Sequence, residues 1–301
     1  MAQLPPAIQR QLERHLGEEI IKVRSVGGGS ISQAVRLTTA QRSYFAKWNA
    51  QGSSDQFDCE ARGLEALAYA QESAAYPLLI PRPLYVSTQD EHEEEGAPPL
   101  MLMEWIETGR VGADFDEQLG AGLANLHRVS APRFGLDYHT YCGVTRQENA
   151  WRDRWEEFYA EQRLAPLIRE ACDHRGLAGE DLRRFEVLIR RLSEWITTDE
   201  SPALIHGDLW YGNVLETASG PPALIDPAVS YAHREAELGM MELFGGFSPR
   251  VWSTYQAHYP LTSGWRERLP LYTLYHVLNH FVIFGGRYGD EACRIARRFV
   301  G

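Results

Sequence analysis

The sequence predicts a two-lobed α+β protein, with an N-terminal lobe built on a five-stranded antiparallel sheet plus one helix and a mainly helical C-terminal lobe. Three observations predict it. Five short runs of strand character, punctuated by Gly, Pro and Ser, fall before Ile106, with a single long helical period among them. Beyond Trp105 the apolar spacing is that of helices almost throughout. The length, 301 residues, suits two units, since domains usually run ~100–200 residues. The lobes are expected at 1–105 and 106–301.

Composition narrows the function before any motif is read. The apolar and aromatic content is ample for two packed cores. A net charge of −11 argues against nucleic acid or an anionic membrane as the main partner, since both select basic surfaces. An anionic small molecule stays compatible, because a site needs only a few local cations. Met1 to Arg10 lack an apolar core flanked by basic residues, so no signal peptide is expected, and no run approaches the ~18 apolar residues of a membrane span. Cys59, Cys142, Cys172 and Cys293 are scattered without a CxxC pair. In a chain of this length that points to reduced thiols, a cytoplasmic setting and no zinc site. A monomer is expected.

The elements follow in order. Pro5 to Gly17 reads as a leading helix, with Leu12 and Leu16 at i,i+4 and Gly17 as its stop. Glu19 to Val26 and Ala34 to Thr38 read as strands on either side of Gly27-Gly28-Gly29-Ser30-Ile31-Ser32. Such a turn lets backbone amides approach phosphate oxygens without Cβ interference, although a plain hairpin loop has the same look. It lacks the GK[ST] ending of a Walker A loop. Ser43 to Trp48 is a third strand, with Lys47 in an apolar context. From Ser54 to about Tyr76 the period is helical, and Glu60 shares a stripe with Phe57, Leu64 and Leu67. A carboxylate on a core-facing stripe needs a partner, because an unpaired buried charge is expensive. Lys47 is the natural one, although alone it would read as a solvent-facing lysine. Pro81 to Thr88 and Pro98 to Trp105 complete the strands, and the acidic run Gln89 to Gly96 between them reads as a solvated hairpin loop.

Helices are expected at Asp116 to Val129, Trp151 to Cys172, Leu182 to Thr197, Arg234 to Gly245, Pro249 to His258, Trp265 to Gly285 and Asp290 to Val300. Trp151, Trp155, Phe158 and Tyr159 have the spacing of core aromatics. His276 and His280 at i,i+4 could bind metal, but with no third ligand nearby, packing or a substrate hydrogen bond is the simpler reading.

The chemistry concentrates in Leu204 to Leu215, LIHGDLWYGNVL, where an apolar strand enters a tight polar loop and another leaves it. Asn213 follows Asp208 by five positions, and a further apolar run ends on Asp226, eighteen positions beyond Asp208. Phosphoryl transfer needs a group that orients the attacking hydroxyl and ligands for Mg²⁺ at the phosphates. One Asp at the hydroxyl, an Asn five positions on and a later metal-binding Asp is how protein kinases meet that need. Either Asp alone would be an ordinary strand end; the whole string reads as a phosphotransferase using ATP and Mg²⁺.

These parts resemble the fructosamine kinases, or ketosamine-3-kinases, relatives of the aminoglycoside and choline kinases with a protein-kinase-like fold. HGDLWYGN is similar to that family's HGDLWSGN, and Ile225 to Ala228 to its (I/V)DPA. REAELGMMELFGGF, Arg234 to Phe247, resembles its REVDLAMMELFGGF; Asn149 to Pro166 and Leu274 to Gly285 match further segments, so the likeness covers nearly the whole chain. Two departures stand out. Many relatives have GCIS in the glycine-rich loop where this chain has Ser30, so disulfide control through that loop should not carry over. The family's Asp after REV is Glu237 here.

The resemblance implies ATP-dependent phosphorylation of a sugar-derived hydroxyl on a ketosamine, a deglycation or repair-type activity, with a small ketosamine or a glycated protein as substrate. Asp208 would orient the hydroxyl or accept its proton, while Asn213 and Asp226 hold Mg²⁺ and Lys47 with Glu60 fixes the phosphates. Gly28, Gly29, Ser30, Ile31 and Ser32 would cover the phosphates, and Met103, Glu104 and Ile106 would meet adenine. Trp210 suits stacking on the substrate's polyol face, unless it is a core tryptophan. His206, Asn279 and His280 are further substrate-side candidates. An aminoglycoside, choline or homoserine kinase, or a non-catalytic nucleotide-binding module, are the competing readings.

Overall fold

The computed structural model describes residues 4–27, 32–50, 52–89, 91, 96–110, 112–196, 200–218 and 220–301. Gly28, Gly29, Ser30 and Ile31 therefore lie outside the described residues, as does most of the acidic run. Helix α1 (Pro6–Leu16) ends on Gly17. Strands β1 (Lys22–Ser25), β2 (Gln33–Thr38), β3 (Ser43–Trp48), β4 (Pro83–Val86) and β5 (Leu100–Glu104) form one sheet in the order β1-β2-β3-β5-β4. All its junctions are antiparallel, as expected. The last two strands begin later than the runs at Pro81 and Pro98, since proline has no N–H to give a ladder and is tolerated only at a strand's edge or first residue.

Alternation along the central strands sorts the side chains onto two covered faces. Tyr44, Ala46, Trp48, Leu100 and Leu102 pack with Ile8 and Leu12 of α1. Phe45, Met101 and Met103 face the other way, against helix α2 (Gln56–Gln71). Lys47 pairs in register with Met101, so the ladder delivers its ammonium to that inner face. Phe57, Leu64 and Leu67 of α2 share a core with helix α3 (Phe115–Leu126) and with Leu204, Val214, Leu224 and Val229. A Cβ added at Gly63 of α2 would lie 3.4 Å from Pro227 and Val229. The sheet's inner face and the segment around Asp226 are thereby one packed body.

The rest of the chain is helices and short hairpins. The expected helix from Trp151 begins only at Trp155. Residues 149–152 are extended instead, with Phe134 and Arg152 exchanging backbone hydrogen bonds at 3.0 and 2.8 Å. From there α4 (Trp155–Phe158) passes through a π-helical turn, Tyr159–Leu164, into α5 (Ala165–Arg175). Helices α6 (Gly179–Arg190), α7 (Glu235–Phe244), α8 (Pro249–His258), α9 (Trp265–Phe284) and α10 (Arg287–Val300) follow the expected order. A second core gathers Trp155, Phe158, Tyr159, Phe185, Leu271 and Tyr272. Among the described residues no helix is long and apolar enough to cross a membrane. The apolar runs around Asp208 and Asp226 are short strands: β8 (Ala203–Ile205) pairs with β11 (Ser230–Ala232), and β9 (Val214–Leu215) with β10 (Ala223–Leu224). One hairpin was not expected, β6 (Thr140–Cys142) with β7 (Thr145–Gln147).

Helices α3 and α8 meet almost backbone to backbone at Gly120, where a Cβ would lie 2.5 Å from the Val251 carbonyl oxygen. In an open helix Gly→Ala gains about 1 kcal/mol. Here Gly120→Ala should instead lose ~1–3 kcal/mol by overpacking. Thermal unfolding reads the sign directly, and a raised melting temperature would mean that the helices do not touch there.

Candidate active site

The loop between β8 and β9 is fixed from beneath. Gly207 takes φ +85°, and a Cβ there would fall 2.0 Å from the Ala228 carbonyl oxygen, so only glycine permits this turn against the neighbouring segment. The Ala228 amide donates to the His206 carbonyl at 2.8 Å. Fully buried Glu237 of α7 accepts from the amides of His206 and of Gly207, the latter at 3.2 Å. The departure at position 237 therefore keeps a carboxylate under the loop, and its longer side chain still reaches the backbone. Asn213 closes the loop by donating Nδ2 to the Asp208 carbonyl at 2.8 Å.

His206 is 0% exposed. Its Nε2 lies 2.8 Å from the Ile225 carbonyl and must donate to it, which leaves Nδ1 to accept the Asp208 amide at 3.3 Å. That is one neutral tautomer, and burial lowers the ring's pKa in keeping with it. The expected substrate contact is thus corrected: both ring nitrogens are spent on holding the loop. Asp208 itself lines the cleft. Burial pushes its carboxyl up to about 7, reinforced by the charges of Glu237 and Asp226 and opposed by a hydrogen bond from the Cys142 thiol. A carboxyl poised there suits general-base work near neutral pH.

Asp226 sits at φ 55°, left-handed backbone that a short polar residue tolerates and that turns its carboxylate back toward the sheet. Lys47 Nζ lies 2.6 Å from Glu60 Oε2 and 2.6 Å from Asp226 Oδ1. Burial alone would lower the lysine, but Asp226 and Glu60 together hold it above its usual value. Glu60 is pushed up to about 7, by burial and by the Asp226 charge against the pull of Lys47. Asp226 stays below its usual value, because Lys47 outweighs burial.

These groups line a cleft of about 430 Å³ between sheet and helices. Gly27 and Ser32, the described ends of the glycine-rich turn, reach it, as do Met103, Glu104 and Ile106 from the chain crossing out of the sheet. The Glu104 amide is already committed to the Arg82 carbonyl at 3.0 Å. Trp210 lines the same cleft, 37% exposed, and lies flat enough on Gly212 that a Cβ there would meet its ring at 2.2 Å. Its ring meets Phe244 edge to face, 6.2 Å between centroids. It is not a core tryptophan.

Asn279 and His280 are not brought to the cleft. Buried Asn279 accepts from Thr145 Oγ1 and donates to the Cys142 carbonyl at 3.3 Å, so it ties the β6–β7 hairpin to α9. His280 donates Nδ1 to the His276 carbonyl at 2.7 Å and packs among Phe244, Phe284 and Tyr288. His276 does have further donors near it after all: a ring nitrogen, Cys142 Sγ and an Asp208 carboxylate oxygen lie within 4.8 Å of one another. Residues missed in the sequence come from the unexpected hairpin. Tyr141 and Gly143 line the cleft with Gln56. Asp55, just before α2, accepts from Tyr141 OH at 2.9 Å and lies 2.6 Å from His139 Nε2, while Gln56 donates to the Gly143 carbonyl at 2.9 Å. The pattern Thr140-Tyr141-Cys142-Gly143-Val144-Thr145, β-branched and aromatic residues around a glycine, was the available signal.

Fold and site together are those of a kinase-like phosphotransferase. The fructosamine kinase family model matches residues 4–300, and the chain belongs to that family. A probable ketoamine kinase of Enterococcus faecium is 37% identical over 92% of this chain and 95% of its own length. The ketosamine-3-kinase of Mus musculus is 32% identical over 95% of this chain and 97% of its own. The crystal structure of a fructosamine-3-kinase-type protein from Thermobifida fusca superposes with a TM-score of 0.83 at 32% identity, covering 96% of this chain and 97% of that one.

A half-exposed indole contributes little to folding. Trp210→Ala should leave the melting temperature almost unchanged, whereas truncating fully buried Trp155 should cost ~3–5 kcal/mol. Equal losses in the two variants would return Trp210 to the core.

Proposed function

We propose that this chain is an ATP-dependent kinase that phosphorylates a sugar hydroxyl of ketosamines, free or on glycated protein, in a deglycation or repair role. The observation that carries the reading is Asp208 facing one cleft with the Lys47–Asp226 ion pair and with Trp210. The relatives' names, ketoamine kinase and ketosamine-3-kinase, support the same acceptor class. The lobes divide near Ile106, into 1–105 and 106–301.

The roles follow from position. Lys47, held protonated, meets nucleotide phosphate charge, with Glu60 fixing its direction. The backbone around Glu104 and Ile106 receives adenine beside Met103, and the glycine-rich turn, Gly28 to Ser32, covers the phosphates. Asp226, kept ionised, and Asn213 offer hard oxygen donors of the kind Mg²⁺ takes, so these residues fit that ion. Bound there, Mg²⁺ would neutralise phosphate charge during transfer. Asp208 accepts the acceptor's hydroxyl proton. The indole of Trp210 covers the sugar chain and can donate one hydrogen bond from its N–H.

Rates with fructose-, ribulose- and erythrulose-lysine adducts, set against an aminoglycoside, choline and homoserine, test the acceptor class. The ketosamines should be preferred, and preference for any of the others would overturn the reading. Trp210→Ala should lower kcat/KM for the ketosamine and spare the nucleotide KM. Asp208→Asn should cost ~10²–10⁴-fold in phosphoryl transfer with nucleotide affinity retained. The base form of Asp208 is lost on acidification, so wild-type kcat/KM should fall about tenfold per unit below an apparent pKa near 7. A flat profile down to pH 5 would remove Asp208 from the base role.

A further inference from the structure

We infer that Cys142, His276 and Asp208 form a second metal site behind the cleft, one that takes a borderline-soft divalent ion such as Zn²⁺ and thereby blocks the enzyme. The inference rests on the base role of Asp208 proposed above. Three donor types meet there: a thiol sulfur, an imidazole nitrogen and a carboxylate oxygen, all within 4.8 Å of one another. That is the sulfur–nitrogen–oxygen set zinc accepts, with water completing four-coordination. The three come from distant parts of the chain: the β6–β7 hairpin, α9 and the loop after β8.

The second observation is an orphan. Cys142 and His276 are buried, and among the described residues His276 Nδ1 has no hydrogen-bond partner. A buried ring nitrogen without a partner is costly, so protein hydrogen bonds do not fully account for the burial of His276. Burial, with His280 and Arg163 nearby, pushes the imidazole down to about 3, so the ring is neutral and its lone pair is available. Burial and the Asp208 charge push the Cys142 thiol well up, so it is protonated until a metal displaces the proton, and two neighbours ease that loss. Asn279 Nδ2 lies 3.5 Å from Cys142 Sγ, and the buried Arg163 guanidinium favours the charged form. Asn279 is thus a positioning residue for the sulfur.

Mg²⁺ would not compete here. It prefers oxygen ligands and dehydrates reluctantly, whereas thiolate and imidazole select zinc-like ions. The oxygen pair Asn213 and Asp226 and the mixed set around Cys142 therefore sort two kinds of cation by donor softness. Entry is through the cleft, since Asp208 lines it while Cys142 and His276 lie behind. On binding, Zn²⁺ replaces the Cys142 thiol proton, which leaves to solvent, and no electron is transferred. An Asp208 oxygen bound to the ion no longer accepts the acceptor's hydroxyl proton. The other cluster, Asp55, Cys59 and His139, is a weaker candidate, because His139 Nε2 and both Asp55 oxygens already have protein partners.

Metal-free full-length protein titrated with Co²⁺, without nucleotide, tests the site independently of any activity. Wild type and Cys59→Ser should develop a thiolate-to-cobalt charge-transfer band, and Cys142→Ser should not. Asn279→Ala should weaken binding 10–100-fold, the usual effect of losing a group that supports a ligand. X-ray absorption of the zinc-loaded wild type needs no variant and should show one sulfur at about 2.3 Å. Zn²⁺ should inhibit ketosamine phosphorylation by the wild type, and Cys142→Ser should keep a larger fraction of its own metal-free rate. No band in the wild type, a band surviving Cys142→Ser, a band lost in Cys59→Ser, or zinc without sulfur would overturn the site. A Cys142-dependent band without inhibition would overturn the block. If the chain phosphorylates some other alcohol, the cobalt band still reports the site, so the two failures are distinguishable.

Discussion

One ammonium group organises this protein. Lys47 enters from the middle of the sheet and lies 2.6 Å from carboxylates carried by α2 and by the loop after β10. A buried lysine is tolerable only with such partners, because the cost of removing its charge from water must be offset locally. Satisfying it fixes three separate elements at one point. The apolar packing has the same logic, since the α2 stripe beside Glu60 shares a core with Val229 and Leu224, close in sequence to Asp226.

A second buried charge does for the loop between β8 and β9 what Lys47 does for the cleft. Glu237 has no exposure, and its carboxylate is solvated by two loop amides. That anchoring has an electrostatic consequence a few residues away. The Glu237 charge adds to burial in raising Asp208, so one side chain both sets the loop's shape and shifts the loop's carboxyl.

The sheet was legible because its signals are local: alternation, proline and glycine punctuation, and a carboxylate on an apolar stripe. The Lys47–Glu60 pair followed from that stripe alone. That Asp226 would also bond Lys47 did not, since no sequence pattern states which of two carboxylates a buried ammonium will choose. The helix starts at Trp155 and not at Trp151, because the aromatic spacing continues through a stretch whose backbone pairs with Phe134 in an extended form. His206 departs from the substrate side for a related reason. A polar residue beside Asp208 looks functional in sequence, whereas its two backbone hydrogen bonds are a property of the folded loop. Asn279 and Cys142 meet across 137 positions, a contact that no local pattern reports.

We propose that the Lys47 cluster couples sheet and helices into one nucleotide clamp. A double-mutant cycle on Lys47→Met and Glu60→Gln, read in ATP affinity, tests it most directly. The two positions should be non-additive by roughly 0.5–3 kcal/mol, the range for contacting partners. Losses that simply add would contradict the account, because a lysine and a glutamate acting independently cannot be the joint that holds the cleft.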